Sequence, residues 1–498
     1  MEKSFQQSDE FQVPAVGRKR IAIYNGSLGQ LDRVYVRGQI IDIPVLDTHL
    51  DQEWDIFCML PENLIHRFRA IQDINMAPVR SPRIRIEIIP YEGSEKIAKL
   101  IEMPAIATYE NFAGDGSGNF ELPMKKIKEG LESGRYLVRT YIKGIDSIRQ
   151  NLADLANLSP QKLFDPRIPV GFGRLRILPK NYEGFVIISD IDKTFLNTKF
   201  ESRQGLLETL LERIENKKPI PGMDEYYRVI KKYEYPLIFI SASPTFFHRV
   251  LEGVFKKFQI SPDGIYLKKL INPISSISTK IFHILTNLND YMNQNIEDML
   301  NRSMKFLNAT LQSIMEQTGY KLKVLLYMRK MQPTYSKEVL IGDNSESDYL
   351  IFTLYQILLS GIIPDEEIVN FLYNLKPKDK EIINRDLAIE IYELVKENHR
   401  IHRTINPVKN VFIHKIYNTP NQDEMYKMIE KITHKSTELL EKSNIKLPVV
   451  YHNMGELALL SYEKNIIFKK DFLELISYFK KIQPDEFNKI EKKIKDIQ

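Results

Sequence analysis

The sequence predicts an α/β unit built on a parallel sheet, with a small cap and helical inserts, preceded by an antiparallel β-sandwich. Three apolar runs carry the first part of that expectation: Phe185-Val186-Ile187-Ile188-Ser189-Asp190, Pro236-Leu237-Ile238-Phe239-Ile240-Ser241 and Glu338-Val339-Leu340-Ile341-Gly342-Asp343. Each is short, rich in β-branched or aromatic residues and closed by a polar group, as expected of a strand buried on both faces. In open α/β sheets ligands bind beyond the carboxyl ends of the strands, which is where all three polar groups fall.

The first run governs the rest. Asp190 and Asp192 stand two apart where the strand ends, so both can address one crevice. Two carboxylates that close need a cation between them or a shared proton. A hard ion such as Mg²⁺ suits them: one carboxylate can then attack phosphorus while the other moves protons. An acidic turn after a core strand is the bland alternative. Against it stand the second run, ending in Ser241-Ala242-Ser243-Pro244, and the third, ending in the acidic loop Gly342 to Asp348. Between them, Tyr320-Lys321-Leu322-Lys323 opens an amphipathic helical pattern that runs to about Met331 and offers a lysine to the same crevice.

In this order and wording the motifs resemble those of the haloacid dehalogenase superfamily of phosphohydrolases. Ser189 to Thr194, Ser241 to Pro244 and Gly342 to Asp348 resemble more closely its phosphatidate phosphatase catalytic domain of the actin-patch type. Arg33-Val34-Tyr35-Val36-Arg37-Gly38 resembles the amino-terminal β region of that family. The resemblance implies a haloacid-dehalogenase-like Rossmannoid sheet and a Mg²⁺-dependent hydrolase that converts phosphatidate to diacylglycerol and phosphate. It implies Asp190 as the nucleophile that becomes an aspartyl-phosphate and Asp192 as general acid and base. Ser241 would bind a phosphoryl oxygen, and Lys321 would neutralise phosphate and nucleophile. Asp190, Asp192 through its carbonyl, Asp343 and Asp348 would hold the metal. Thr194, which stiffens the loop, Ser243 and Ser345 would contact substrate. The choice between Lys321 and Lys323 stays open, because the spacing runs across an insert.

Asp192-Lys193-Thr194 also echoes phosphorylated transport ATPases, but Phe195 stands where that motif needs glycine and no long apolar segment accompanies it. Asp192 further favours hydrolysis over phosphate retention, since it can activate water. The alternatives are a phosphatase of the same superfamily acting on a phosphoprotein or small phosphomonoester, or an inactive lipid- or protein-binding module.

Length and composition set the frame. A chain of 498 residues exceeds one ordinary core, and 43% hydrophobic with 27% charged residues describes a globular protein. The net charge of +5 comes from 70 basic against 65 acidic residues, too even to point to nucleic acid. The single Cys58 excludes an internal disulfide and a cysteine-based zinc site. Met1 to Val16 lacks the apolar core of a secretory signal, and no stretch approaches a membrane span. The expectation is a cytoplasmic enzyme that meets a phospholipid substrate peripherally, at the membrane surface. The oligomeric state is left open.

In chain order, residues 1–17 read as a tail and 18–145 as the β-sandwich, from alternating runs such as Arg83 to Ile89 and Tyr136 to Ile142. Glycines 114, 116 and 118 read as a hairpin turn rather than a phosphate loop, since no helix follows. Asp47, His49 and His66 lack ligand spacing and read as surface residues. Residues 146–182 read as a linker in which Arg174 and Arg176 either face lipid head groups or are solvated. Residues 183–498 form the phosphatase unit. About 40 residues after Thr194 make a small cap, which leaves the crevice open to a large substrate. The insert 273–319 carries apolar residues at helical spacing, with mixed charge that favours packing over membrane docking. Tyr349 to Ile363 reads as a buried helix, Asn410 to Tyr417 and Pro448 to His452 as further strands, and Asp471 onward as helices with a solvated lysine-rich face.

Overall fold

A computed structural model of the chain describes residues 16–46, 77–78, 82–91, 102–112, 119–124, 130–145, 167, 169–198, 216–244, 248–268, 317–345, 347–375 and 383–495. The amino-terminal part contains strands β1 (Val16–Tyr24), β2 (Ser27–Gln30), β3 (Tyr35–Leu46), β4 (Ala77–Pro78), β5 (Pro82–Pro90), β6 (Ala107–Phe112), β7 (Asn119–Pro123), β8 (Gly134–Ile145) and β9 (Gly171–Leu178). After it come β10 (Phe185–Asp190), α1 (Met223–Lys232), β11 (Leu237–Pro244), α2 (His248–Lys257), β12 (Gly264–Lys268), α3 (Gln317–Met331), β13 (Lys337–Asp343) and α4 (Asp348–Leu359). The chain continues through α5 (Ile368–Tyr373), α6 (Arg385–His402), β14 (Val408–His414), α7 (Gln422–Thr433), α8 (Thr437–Lys442), β15 (Val449–Tyr451), α9 (Met454–Glu463), α10 (Lys469–Ile482) and α11 (Pro484–Lys495).

The α/β class holds. Six strands form a sheet in the order β12-β11-β10-β13-β14-β15, every neighbouring pair parallel. Successive side chains of a strand face opposite sides, and here each side meets its own helical layer. Val186, Ile188, Ile240, Leu340 and Ile413 pack with α3, α4, α6 and α7. Ile187, Phe239, Val339, Ile341 and Phe412 pack with α1, α2, α9, α10 and α11. That double burial is why these runs are apolar at every position instead of alternating. All twelve residues of α4 are buried; Thr353 bonds the Tyr349 carbonyl at 2.7 Å within the helix, and Gln356 bonds both the Phe352 carbonyl at 3.1 Å and the Lys446 carbonyl at 3.0 Å.

The amino-terminal strands form two further sheets. One joins β1, β3 and β4 antiparallel, with β7 on β3; the other runs β2-β9-β8-β5-β6 and is antiparallel except for β2 against β9. Both contribute to one apolar cluster that includes Val36 and Phe120 from the first sheet and Ile86, Val138 and Leu175 from the second. Three sequence readings change here. Gly171–Leu178, placed in a linker, is a strand paired with β8. β6 and β7 lie in different sheets, so the glycine-rich stretch joins sheets and is no hairpin; residues 113–118 themselves lie outside the described residues. Arg176 is turned inward and pairs with Asp263 at 3.2 Å, whereas Arg174 stays exposed while donating to the Pro262 carbonyl at 2.7 Å. The readings of Asp47, His49 and His66 and of insert residues 273–316 lie outside the described residues, as does most of the cap.

The β region is joined to the edge of the parallel sheet. Ile265 donates to the Asn25 carbonyl at 3.0 Å, and Gly26 bridges antiparallel to Gly264. Gly26 has φ 84°, and a Cβ there would fall on the Gly264 Cα and the Asp263 carbonyl. Gly26→Ala is expected to destabilise the protein by about 2 kcal/mol, since it combines left-handed strain with a backbone clash. A thermal melt equal to wild type would show that this junction does not contribute.

At the opposite end of β13, Glu338 is buried and accepts from the Tyr355 hydroxyl at 2.9 Å, with Arg329 Nη1 3.9 Å away. Burial pushes its carboxyl up to about 7, against the pull of Arg329. A raised folded-state value means that this stabilising contribution is complete below the ordinary carboxylate range and is lost as pH rises through about 7. Wild type should therefore lose stability relative to Glu338→Gln between pH 5 and pH 8. Urea midpoints whose difference does not change with pH would contradict this.

Candidate active site

Asp190 is the last residue of β10, so the strand itself delivers its carboxylate to the carboxyl edge of the sheet. The chain then turns sharply. The amides of Phe195 and Leu196 both donate to the Ile191 carbonyl, at 2.9 and 2.8 Å, and Lys193 donates to Leu196 at 2.8 Å. Lys193 takes the left-handed conformation at φ 56°, a cost that persists only where the surroundings fix the backbone. Phe195 is one anchor: its buried ring stacks on Phe255 at 5.3 Å and meets Tyr227 edge-on at 5.7 Å.

The next strands supply the partners. Ser241 Oγ, at the end of β11, donates to Asp192 Oδ2 at 2.8 Å, and Ser243 Oγ reaches the same oxygen at 3.2 Å. Lys321, one turn into α3, sets its Nζ 2.7 Å from Asp190 Oδ1 and 2.7 Å from Asp348 Oδ1. Lys323 lies on another face of the helix and pairs with Glu390. Geometry thus separates two lysines that spacing left equivalent. Asp343 ends β13, and Asp348 opens α4, where its carboxylate lies over Gly342. A Cβ on Gly342 would overlap that carboxylate, which explains the glycine before Asp343.

Asp190, Asp343 and Asp348 each offer an oxygen within 4.8 Å of the others, all buried. Three hard oxygen donors in that space fit a divalent cation such as Mg²⁺. The charges agree: the ammonium of Lys321 alone does not balance these three carboxylates, and a divalent ion would offset the excess. Without one, burial and the neighbouring Asp348 push the Asp343 carboxyl up to about 6. Burial also raises Asp192, against the hydrogen bond from Ser241 and the charge of Lys321. A carboxyl that retains its proton can act as an acid.

The remaining expected residues are placed less directly. Thr194 is fully buried, and its hydroxyl has no hydrogen-bond partner among the described residues. Ser345 turns inward, its amide and hydroxyl donating to Asp343 Oδ1 at 2.6 and 2.5 Å, so it orients that carboxylate. Two participants carried no sequence signal as site residues. His414, from β14, donates Nδ1–H to the Lys193 carbonyl at 2.7 Å. Asn344 accepts from the Ile416 amide at 2.8 Å and donates to Pro420 at 2.6 Å, tying the acidic loop to the chain after β14.

Among the described residues no helix is long and apolar enough to cross a membrane. The chain matches no curated protein. Residues 185–303, less than half of the chain, match the family model described as phosphatidate phosphatase APP1, catalytic domain, and the stretch holds β10, β11 and β12 with Asp190, Asp192 and Ser241. The segment that carries β10, β11 and β12 is thus similar to the catalytic domain of that phosphatidate phosphatase family.

Proposed function

We propose that the protein is a Mg²⁺-dependent phosphatidate phosphatase with a haloacid-dehalogenase-like unit over residues 183–498 and an amino-terminal β-sandwich over 18–145. The observation that carries this reading is the convergence of Asp190, Lys321, Asp343 and Asp348 from four separate elements, β10, α3, β13 and α4. The family match supports the lipid substrate, and a lipid substrate would in turn place the proposed enzyme peripherally at a membrane surface, on the cytoplasmic side.

In the proposed reaction an oxygen of Asp190 attacks phosphorus while the bond to the leaving alkoxide breaks. Asp192, whose burial favours the protonated form, gives that alkoxide its proton. It then takes a proton from water as the water oxygen attacks the aspartyl-phosphate, freeing phosphate and restoring Asp190. Ser241 and Ser243 hold the Asp192 carboxylate between the two steps. Lys321 balances Asp190 and neutralises phosphoryl oxygens. A Mg²⁺ held by Asp190, Asp343, Asp348 and the Asp192 carbonyl would supply Lewis-acid screening, so that a carboxylate can approach an anionic phosphoryl group. Thr194 would contact the phosphoryl group at the closed end of the loop.

Phosphate release from a generic phosphomonoester should require added Mg²⁺, stop with EDTA, and fall by about 10³-fold or more in Asp190→Asn. Equal turnover by wild type and variant would remove Asp190 as nucleophile. For the substrate, phosphatidate in mixed micelles should be hydrolysed in strong preference to soluble sugar, nucleotide and protein phosphates. A soluble phosphate hydrolysed faster than the lipid would instead support a phosphatase of the same chemistry on a small or protein substrate.

A further inference from the structure

The residue after Asp192 is held from an unexpected side. In the order β10-β13-β14, His414 stands two strands away from the loop that follows β10, and its register partner is Asp343. To reach Lys193 its ring passes the end of β13. The contact is buried and short, Nδ1 to the Lys193 carbonyl at 2.7 Å. A carbonyl only accepts, so Nδ1 must carry the hydrogen. Tyr451, from β15, stacks on the imidazole at 5.3 Å with 27° between the planes and fixes its orientation. The main chain is fixed as well: Asn344 donates its amide to the His414 carbonyl at 3.2 Å.

The bonded carbonyl belongs to a residue at φ 56°, in the turn between the two aspartates and Thr194. The Asp192 side chain is already held from the β11 end by Ser241 and Ser243. The His414 bond fixes the Lys193–Thr194 peptide, from the β14 end. Together they clamp the turn from both flanks, in a conformation that an isolated Lys-Thr dipeptide would rarely adopt. Exact placement of an acid–base group matters most in the transition state, where small displacements are costly.

We propose that His414 is a positioning residue of the phosphoryl-transfer reaction: through the Lys193 carbonyl it holds Asp192 at the distance and angle needed for proton transfer. The inference rests on the phosphatase reading and adds to it a residue that touches neither metal nor substrate.

The test uses the full chain with Mg²⁺ and a soluble phosphomonoester, bracketed by wild type and Asp190→Asn. His414→Phe keeps the aromatic stack and removes the donor; His414→Asn replaces the Nδ1–H by an amide N–H at nearly the same place. His414→Phe should lower kcat by about 10- to 100-fold with KM changed less than about 3-fold, the split expected of an interaction that matters in the transition state. His414→Asn should recover most of the lost kcat. A merely structural role would lower the melting temperature of both variants without that split or that recovery. Because His414→Phe could fail to fold, the native protein gives a second measurement: ¹⁵N-histidine NMR should find the His414 imidazole neutral with its hydrogen on Nδ1. Wild-type kcat in His414→Phe, no recovery in His414→Asn, or an Nε2–H tautomer each overturns the inference. A wild type inactive on every phosphomonoester overturns the phosphatase reading and this inference with it, whereas an active wild type beside an active His414→Phe overturns the inference alone.

Discussion

The Lys321 ammonium, 2.7 Å from both Asp190 and Asp348, is the contact on which the rest of the site depends. Three carboxylates buried at the ends of adjacent elements repel one another in a medium that screens weakly, and each has lost its hydration. One positive charge set between two of them makes the arrangement tolerable, and the remaining deficit gives it a use. Such a site favours a divalent cation, and then an anionic phosphoryl group whose charge that cation can offset. The helix carrying Lys321 is held by its own apolar face, Leu322, Leu325 and Leu326 lying in the core below the sheet. Burial of those leucines therefore sets the position of the ammonium.

The sheet makes a second contribution, through order rather than charge. Neighbouring parallel strands end at one edge, so residues remote in sequence arrive together without any loop having to be long. β10 brings Asp190, β11 brings Ser241, β13 brings Asp343 and β14 brings His414. The helices behind them bury mainly apolar residues, and α4 is buried on all sides. Close packing of this kind leaves little freedom to the strand ends, which suits a reaction whose groups must meet within a fraction of an ångström.

Much of this was legible in the sequence because buried parallel strands have an unusual signature: Val186 to Ile188 and Val339 to Ile341 are apolar at successive positions, and the polarity changes abruptly where the strand ends. The same rule found β14 and β15. It failed for β12, whose five residues Gly264–Lys268 are too few to stand out, and for Gly171–Leu178, where glycine and arginine alternate with the apolar residues and resemble a connection. Arg176 there is paired inside the molecule with Asp263, and the exposed Arg174 reaches the Pro262 carbonyl, partners that no local pattern announces. Lys321 and Lys323 look alike in sequence: two residues apart they lie on nearly opposite faces of the helix, and which face meets the crevice is decided only by how the helix docks. His414 was invisible for a related reason: its role depends on strand order, which periodicity does not encode. Ser345 was seen as a substrate contact, whereas its hydroxyl faces Asp343, two residues back along the chain.

The central claim is that the Asp190 carboxylate bonds covalently to phosphorus. It can be tested by quenching the enzyme during turnover of a phosphomonoester, reducing with borohydride and mapping the peptides by mass spectrometry. An acyl-phosphate at this position is reduced to homoserine, so the account predicts homoserine in place of Asp190 and at no other aspartate. Recovery of unmodified Asp190 from an enzyme that is releasing phosphate, or homoserine at Asp192, Asp343 or Asp348, would contradict it.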